Sequence, residues 1–153
     1  QKGRDTRIKK ARSLTAAYTG NAITKYEVGP TFACFTGPSC GENVVADMVE
    51  LDAVPFVLGA QPEGRADLLL GTQPVIHSRP TNLISINDAL EGHMFKGRVI
   101  HATFEDKGAV WIYTRGVGGS GSALRDGINT AVGVGPAFGR MHLNIQERFK
   151  FGY

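Results

Sequence analysis

Long apolar runs are missing from this chain of 153 residues. No stretch approaches the roughly 20 apolar residues that a membrane-spanning helix needs, so no membrane span is expected. Cysteine is scarce, with only Cys34 and Cys40 present, which excludes a disulfide-dense scaffold. No internal repeat is visible, and this excludes a solenoid or propeller. The start Gln1-Lys2-Gly3 has neither an initiator methionine nor an apolar signal core. A processed chain or a segment of a longer protein is therefore expected.

Hydrophobic residues make up 42% and charged residues 20%, a balance that is globular rather than disordered. The length suits a single domain over residues 1–153. Twenty glycines and seven prolines imply many tight turns and short strands rather than a helical bundle. The expected fold is α+β, with N-terminal helical material packed on a C-terminal, mainly antiparallel sheet.

Charge is unevenly placed. Residues 1–12 hold Lys2, Arg4, Arg7, Lys9, Lys10 and Arg12 against Asp5, and the remaining 11 cations face 13 anions. The basic character thus belongs to residues 1–12 as an arm, and a footprint for nucleic acid over the whole domain is not supported. The arm reads either as a tail that contacts phosphates or another anionic surface, or as a solvated first helix.

Residues 5–19 suit a polar helix closed by Gly20-Asn21. Gly29-Pro30 and Gly37-Pro38 bracket Thr31–Phe35 as a strand or extended loop. Val44–Leu51 has helical apolar spacing, with Ser39 or Asn43 as cap, although its valines also allow a strand. Polar residues 59–67 suggest a turn, Leu68–Leu70 and Val75–Ser78 are short apolar pieces, and Asn82–Asn87 has period-two character. Met141–Phe149 reads as a helix or a last strand.

The clearest signal is a hairpin of Val99–Phe104 and Val110–Arg115 around a three-residue loop, Asp106-Lys107-Gly108. That loop pairs Glu105 with Ala109, Thr103 with Trp111, His101 with Tyr113 and Val99 with Arg115. One face would then gather His101, Thr103, Trp111, Tyr113 and Arg115.

Gly92–His101 concentrates His93, His101, Lys96 and Arg98 at the entrance to this hairpin. Cleavage of RNA without a metal needs one group to deprotonate a ribose 2′-hydroxyl, another to protonate the leaving oxygen, and cations for the phosphorane charge. Histidine suits both proton roles because it titrates near neutrality. His93 is expected as base and His101 as acid, with Arg115, Lys96 and Arg98 on phosphate. Thr103, Tyr113 and Trp111 would orient the substrate, and the alternative is a solvated strand entrance with incidental histidines. A rival chemistry, that of a cysteine-dependent hydrolase or deamidase, centres on Cys40, which gains thiolate character ahead of a helix and would take His93 or His101 as partner. Cys34 offers Cys40 a disulfide instead.

Gly116-Val117-Gly118-Gly119-Ser120-Gly121 has the letters of a dinucleotide fingerprint but lacks the parallel βαβ setting. It is expected to be a connector or a substrate loop, followed by one or two helical turns in residues 122–130 and a turn at Gly133–Pro136. His77, His93, His101 and His142 show no spacing typical of zinc ligands, so neither metal nor cofactor is expected.

The stretch Gly92–Phe138 carries Gly-His ahead of a Gly-Arg-Val strand, then Ile-Tyr-Thr-Arg-Gly-Val-Gly, Asn129 and Gly135-Pro136-Ala137-Phe138. Over about a third of the chain it resembles the C-terminal toxin tips of bacterial polymorphic or contact-dependent secretion proteins. The resemblance implies an exported domain, delivered into a target cell and neutralised in the producer by an immunity protein. It also implies nuclease activity, since barnase-like and EndoU-like ribonucleases carry histidine, basic and Thr/Tyr residues on an antiparallel sheet. A non-enzymatic β-rich binding or assembly module with a basic arm is the remaining alternative.

Overall fold

The computed structural model describes residues 2–53, 64–67, 73–89, 97–118 and 135–150. Its elements are α1 (Lys2–Ala16), β1 (Thr24–Phe35), α2 (Glu42–Ala53), β2 (Gly64–Asp67), β3 (Gln73–Thr81), β4 (Ile84–Ala89), β5 (Arg98–Asp106), β6 (Ala109–Val117) and α3 (Gly135–Lys150). The six strands form one antiparallel sheet in the order β1-β6-β5-β4-β3-β2. The class is α+β, as its composition and turn density imply.

Alternation along each strand separates two cores. On one face Ala33, Val110 and Ile112 meet Val45, Met48 and Val49 of α2 and Met141 and Ile145 of α3. On the other, Ile84, Ile86, Ile100, Ala102, Phe104 and Tyr113 cover Ala11 of α1. The sheet is therefore the middle of three layers. Helix α1 has so few apolar residues that cation stems complete its contact. Arg7 lies 3.9 Å above the Trp111 ring centroid, and Lys10 Nζ donates to the Glu105 carbonyl at 2.7 Å. Residues 1–12, read as an arm, supply most of this packed helix from Lys2 onward.

Several boundaries differ from the expected ones. Strand β1 begins at Thr24 and runs through Gly29-Pro30, where the ladder to β6 shifts register between Val28 and Thr31. Proline is tolerated there because β1 is an edge strand and the shift leaves no ladder donor missing. Val44–Leu51 is helical, since its burial at Val45, Ala46, Met48 and Val49 follows one helix face. That helix starts at Glu42 after Gly41, so neither Ser39 nor Asn43 is its cap. Gly135 and Pro136 open α3 rather than forming a turn, and Met141–Phe149 is helical. The expected turn over 59–67 gives way at its end to β2, because Gly64–Asp67 pairs with β3, while residues 59–63, the Leu68–Leu70 run and the turns of residues 122–130 lie outside the described residues.

The hairpin is present with a tighter connection. Lys107 (φ 51°) and Gly108 (φ 77°) form a two-residue turn with both residues left-handed, and Asp106 pairs with Ala109. Removing one residue from the expected loop moves every pair by one: Thr103 faces Ile112, His101 faces Thr114, and Ala102 faces Tyr113. A one-residue slip exchanges faces, and this one divides the expected site.

Candidate functional site

His101 and Thr103 project toward α2 and α3, whereas Trp111, Tyr113 and Arg115 project toward α1. The five residues expected on one face therefore do not meet. His93 and Lys96 lie outside the described residues.

The α2/α3 face holds a buried polar layer. His142 Nδ1 is 2.8 Å from Thr31 Oγ1 and its Nε2 is 2.8 Å from Thr114 Oγ1, which in turn is 2.8 Å from His101 Nδ1. Each hydroxyl has one proton, so the chain is polarised in one direction at a time. His101 is 1% exposed, and burial with neighbouring His142 and His77 pushes its pKa down to about 3. Burial alone lowers His142 to about 4. A histidine that stays neutral and unreachable at neutral pH is not the acid expected of His101. Thr103 is also buried, and its Oγ1 has no hydrogen-bond partner among the described residues.

Farther along the same face, His77 Nδ1 meets Asn87 Oδ1 at 2.6 Å and its Nε2 meets Glu50 Oε1, while Ser85 Oγ donates to Glu50 Oε2. Asn87 Nδ2 donates to the Ala53 carbonyl at 2.8 Å, which fixes its oxygen toward the imidazole. Burial opposes ionisation of Glu50, but hydrogen bonds from His77 and Ser85 and the charge of Arg79 outweigh it and hold the carboxyl low. This cluster ties α2 to β3 and β4, and His77 is fully buried within it.

The α1 face brings Tyr113 and Arg115 together with two residues that sequence reasoning had not grouped with them. Glu27 accepts two hydrogen bonds from Arg12, at 3.0 and 2.8 Å, and one from Tyr113 Oη at 2.5 Å. Arg115 donates to Thr24 Oγ1 at 2.9 Å, Thr15 Oγ1 at 3.1 Å and the Arg12 carbonyl at 3.2 Å. The Arg12 hydrogen bond is the main cause of the lowered Glu27 pKa, with burial opposing and Tyr113 assisting. Burial, then the Glu27 hydrogen bond, push the Tyr113 phenol up. The Arg12 and Glu27 side chains are 54% and 26% exposed, so this cluster reaches solvent. It joins an ionised carboxylate, a neutral phenol and two guanidinium groups. The one signal for Glu27 was the polar/apolar alternation of Thr24-Lys25-Tyr26-Glu27-Val28, obscured by Gly29-Pro30.

Arg98 also projects toward α1. It holds Asp88 through Nε at 2.5 Å and Nη2 at 3.0 Å, and the Tyr18 carbonyl through Nη1 at 2.9 Å. That fork is occupied, which is at odds with an Arg98 free for phosphate. It lines an open hollow of about 350 Å³ together with Tyr18, Gly20, Gly97 and Gly118. Cys40 is disulfide-bonded to Cys34, so it lacks the thiolate that the hydrolase reading requires. Among the described residues no three His, Cys, Asp or Glu side chains converge as a metal set, and no helix is long and apolar enough to cross a membrane. In comparisons with known proteins, the chain matches no family model and no curated protein.

Proposed function

We propose that this chain is an exported bacterial toxin or effector domain that cleaves RNA without a metal, with its base on the α1 face rather than at the buried histidines. The observation that carries the reading is the Arg12–Glu27–Tyr113–Arg115 cluster, open to solvent through Arg12 and Glu27 and lying beneath a helix of six cations. A phosphate that draws Arg12 away leaves Glu27 to accept the ribose 2′-proton. The 2′-oxygen then attacks phosphorus, Arg115 and Arg12 offset the phosphorane charge, and the bond to the 5′-oxygen breaks. With Glu27 as base, His93, which the sequence suggested as base, takes the acid role in place of the buried His101 and protonates the leaving oxygen, and the products are a 2′,3′-cyclic phosphate and a free 5′-hydroxyl. Such a domain would be delivered into a target cell and held inactive in its producer by an immunity protein.

The test is incubation with total RNA in EDTA, beside Glu27→Gln and His93→Ala variants whose folding is verified by circular dichroism. Each change should slow cleavage by about 10²–10⁴-fold, the usual worth of a positioned acid or base. Absence of cleavage by the folded wild-type chain, or full activity of Glu27→Gln, rejects the assignment. A non-enzymatic binding module is the second reading, favoured by the burial of all three described histidines and the bridging of both cysteines. It predicts RNA binding that weakens steeply with salt and no turnover.

A further inference from the structure

At the hairpin-tip end of the sheet, the α1 face carries aromatic rings that the cleavage chemistry does not use. Phe35, the last residue of β1, is 78% exposed and is the most exposed large hydrophobic side chain among the described residues. It meets Phe32 edge-on at 4.8 Å, and Phe32 meets Trp111 edge-on at 5.8 Å. The register explains this row: Phe35 sits opposite Ala109 and Phe32 opposite Trp111, so all three rings leave the sheet on one side. Arg7 caps Trp111, Lys10 reaches over the Phe104 ring at 5.5 Å, and Lys107 is exposed in the adjoining turn. Glu105 and Asp106 are the acids of this end, while α1 adds Lys2, Arg4 and Lys9 against Asp5.

A lone exposed phenylalanine is ordinary, but an exposed ring continuous with a second ring and rimmed by cations marks an interaction surface. Rings bordered by cations fit a polyanion that carries flat apolar groups, because bases stack on the rings while phosphates meet the cations. A duplex hides its base faces, and the Asp and Glu side chains of an acidic peptide carry no ring to stack. We infer that Phe35 and Phe32, bordered by Arg7, Lys10 and Lys107, form a stacking platform for single-stranded RNA, with Trp111 under Arg7 at its edge. This deepens the ribonuclease reading and rests on it for the choice of RNA.

Trp111 is the only tryptophan, and its fluorescence therefore reports the platform directly. The experiment titrates the full chain with a 2′-O-methyl oligouridylate, which binds but cannot be cut. An equal-length RNA duplex and heparin are titrated in parallel. The oligouridylate should quench Trp111 and bind more tightly than either control. Phe35→Ala should weaken it about 5- to 100-fold, the worth of one stacked base, and Phe35→Tyr should restore it. The exposure of Phe35 leaves the core intact in these variants. Unchanged fluorescence at saturation, equal affinity of Phe35→Ala and wild type, or equal binding of heparin overturns the platform. A dimer that Phe35→Ala converts to monomer also overturns it, since a second copy then covers the ring. If RNA is cut and Phe35→Ala binds normally, the platform alone fails. If the oligouridylate quenches Trp111 but no RNA is cut, the cleavage reading alone fails.

Discussion

At the residue scale, His101 and His142 act as structural groups whose protonation state is set mainly by burial. His101 and His142 have folded pKa values of about 3 and about 4, below the usual 6.5. Above pH 6.5 both are neutral folded and unfolded, so their contribution is fully present. As pH falls from 6.5 the unfolded chain takes up protons first, and each histidine removes about 1.4 kcal/mol per pH unit until its folded pKa is reached. Urea midpoints measured from pH 7.5 to 4 should therefore fall steeply below pH 6.5. A His142→Gln variant should start lower at pH 7.5 yet lose less over the same range. A flat profile for the wild type would show that the imidazoles are hydrated. Glu27 and Glu50, both held low, add further losses at more acid pH.

At the scale of elements, tight backbone approaches decide where strands begin and which way they face. Gly97, just before β5, has φ +112°, and a Cβ placed there would lie 2.1 Å from the Val117 carbonyl oxygen. The clash is with backbone and cannot be relieved by a rotamer change. Gly97→Ala should destabilise the fold by about 2–4 kcal/mol through strain and a displaced β5–β6 end, measured by thermal or urea unfolding. A loss under about 0.5 kcal/mol would mean that this strand end is looser than the ladder implies. The Lys107-Gly108 turn has the same kind of authority over β5 and β6. The hairpin itself was legible from β-branched and aromatic residues, but its loop length was not. Lysine is an uncommon left-handed residue, so Lys107 gave no hint of a two-residue turn. That single residue separates His101 and Thr103 from Trp111, Tyr113 and Arg115.

At the scale of the molecule, α1 links the charge distribution to stability. A detached basic arm could be removed with no effect beyond weaker binding. Here removal takes away Ala11, the Arg7 cover of Trp111 and the Arg12 bond to Glu27, and it uncovers part of one core. Exposing on the order of 100 Å² of apolar surface costs about 2.5 kcal/mol. Deletion of residues 1–12 should thus lower Tm by roughly 5–10 °C. A Tm unchanged by the deletion would restore the arm interpretation.

The sequence by itself determined the α+β class, the hairpin strands and the concentration of cations in residues 1–12, and it left Val44–Leu51 open between helix and strand. These follow from local propensity and periodicity, which act over a few residues. Only the tertiary structure decided that β1 continues through Gly29-Pro30, that Cys34 and Cys40 are joined, and that Glu27 stands beside Arg12, Tyr113 and Arg115. Those outcomes depend on strand register and on which layer covers each face. Both are set by contacts between residues far apart in the chain, as in the 86-residue separation of Glu27 and Tyr113.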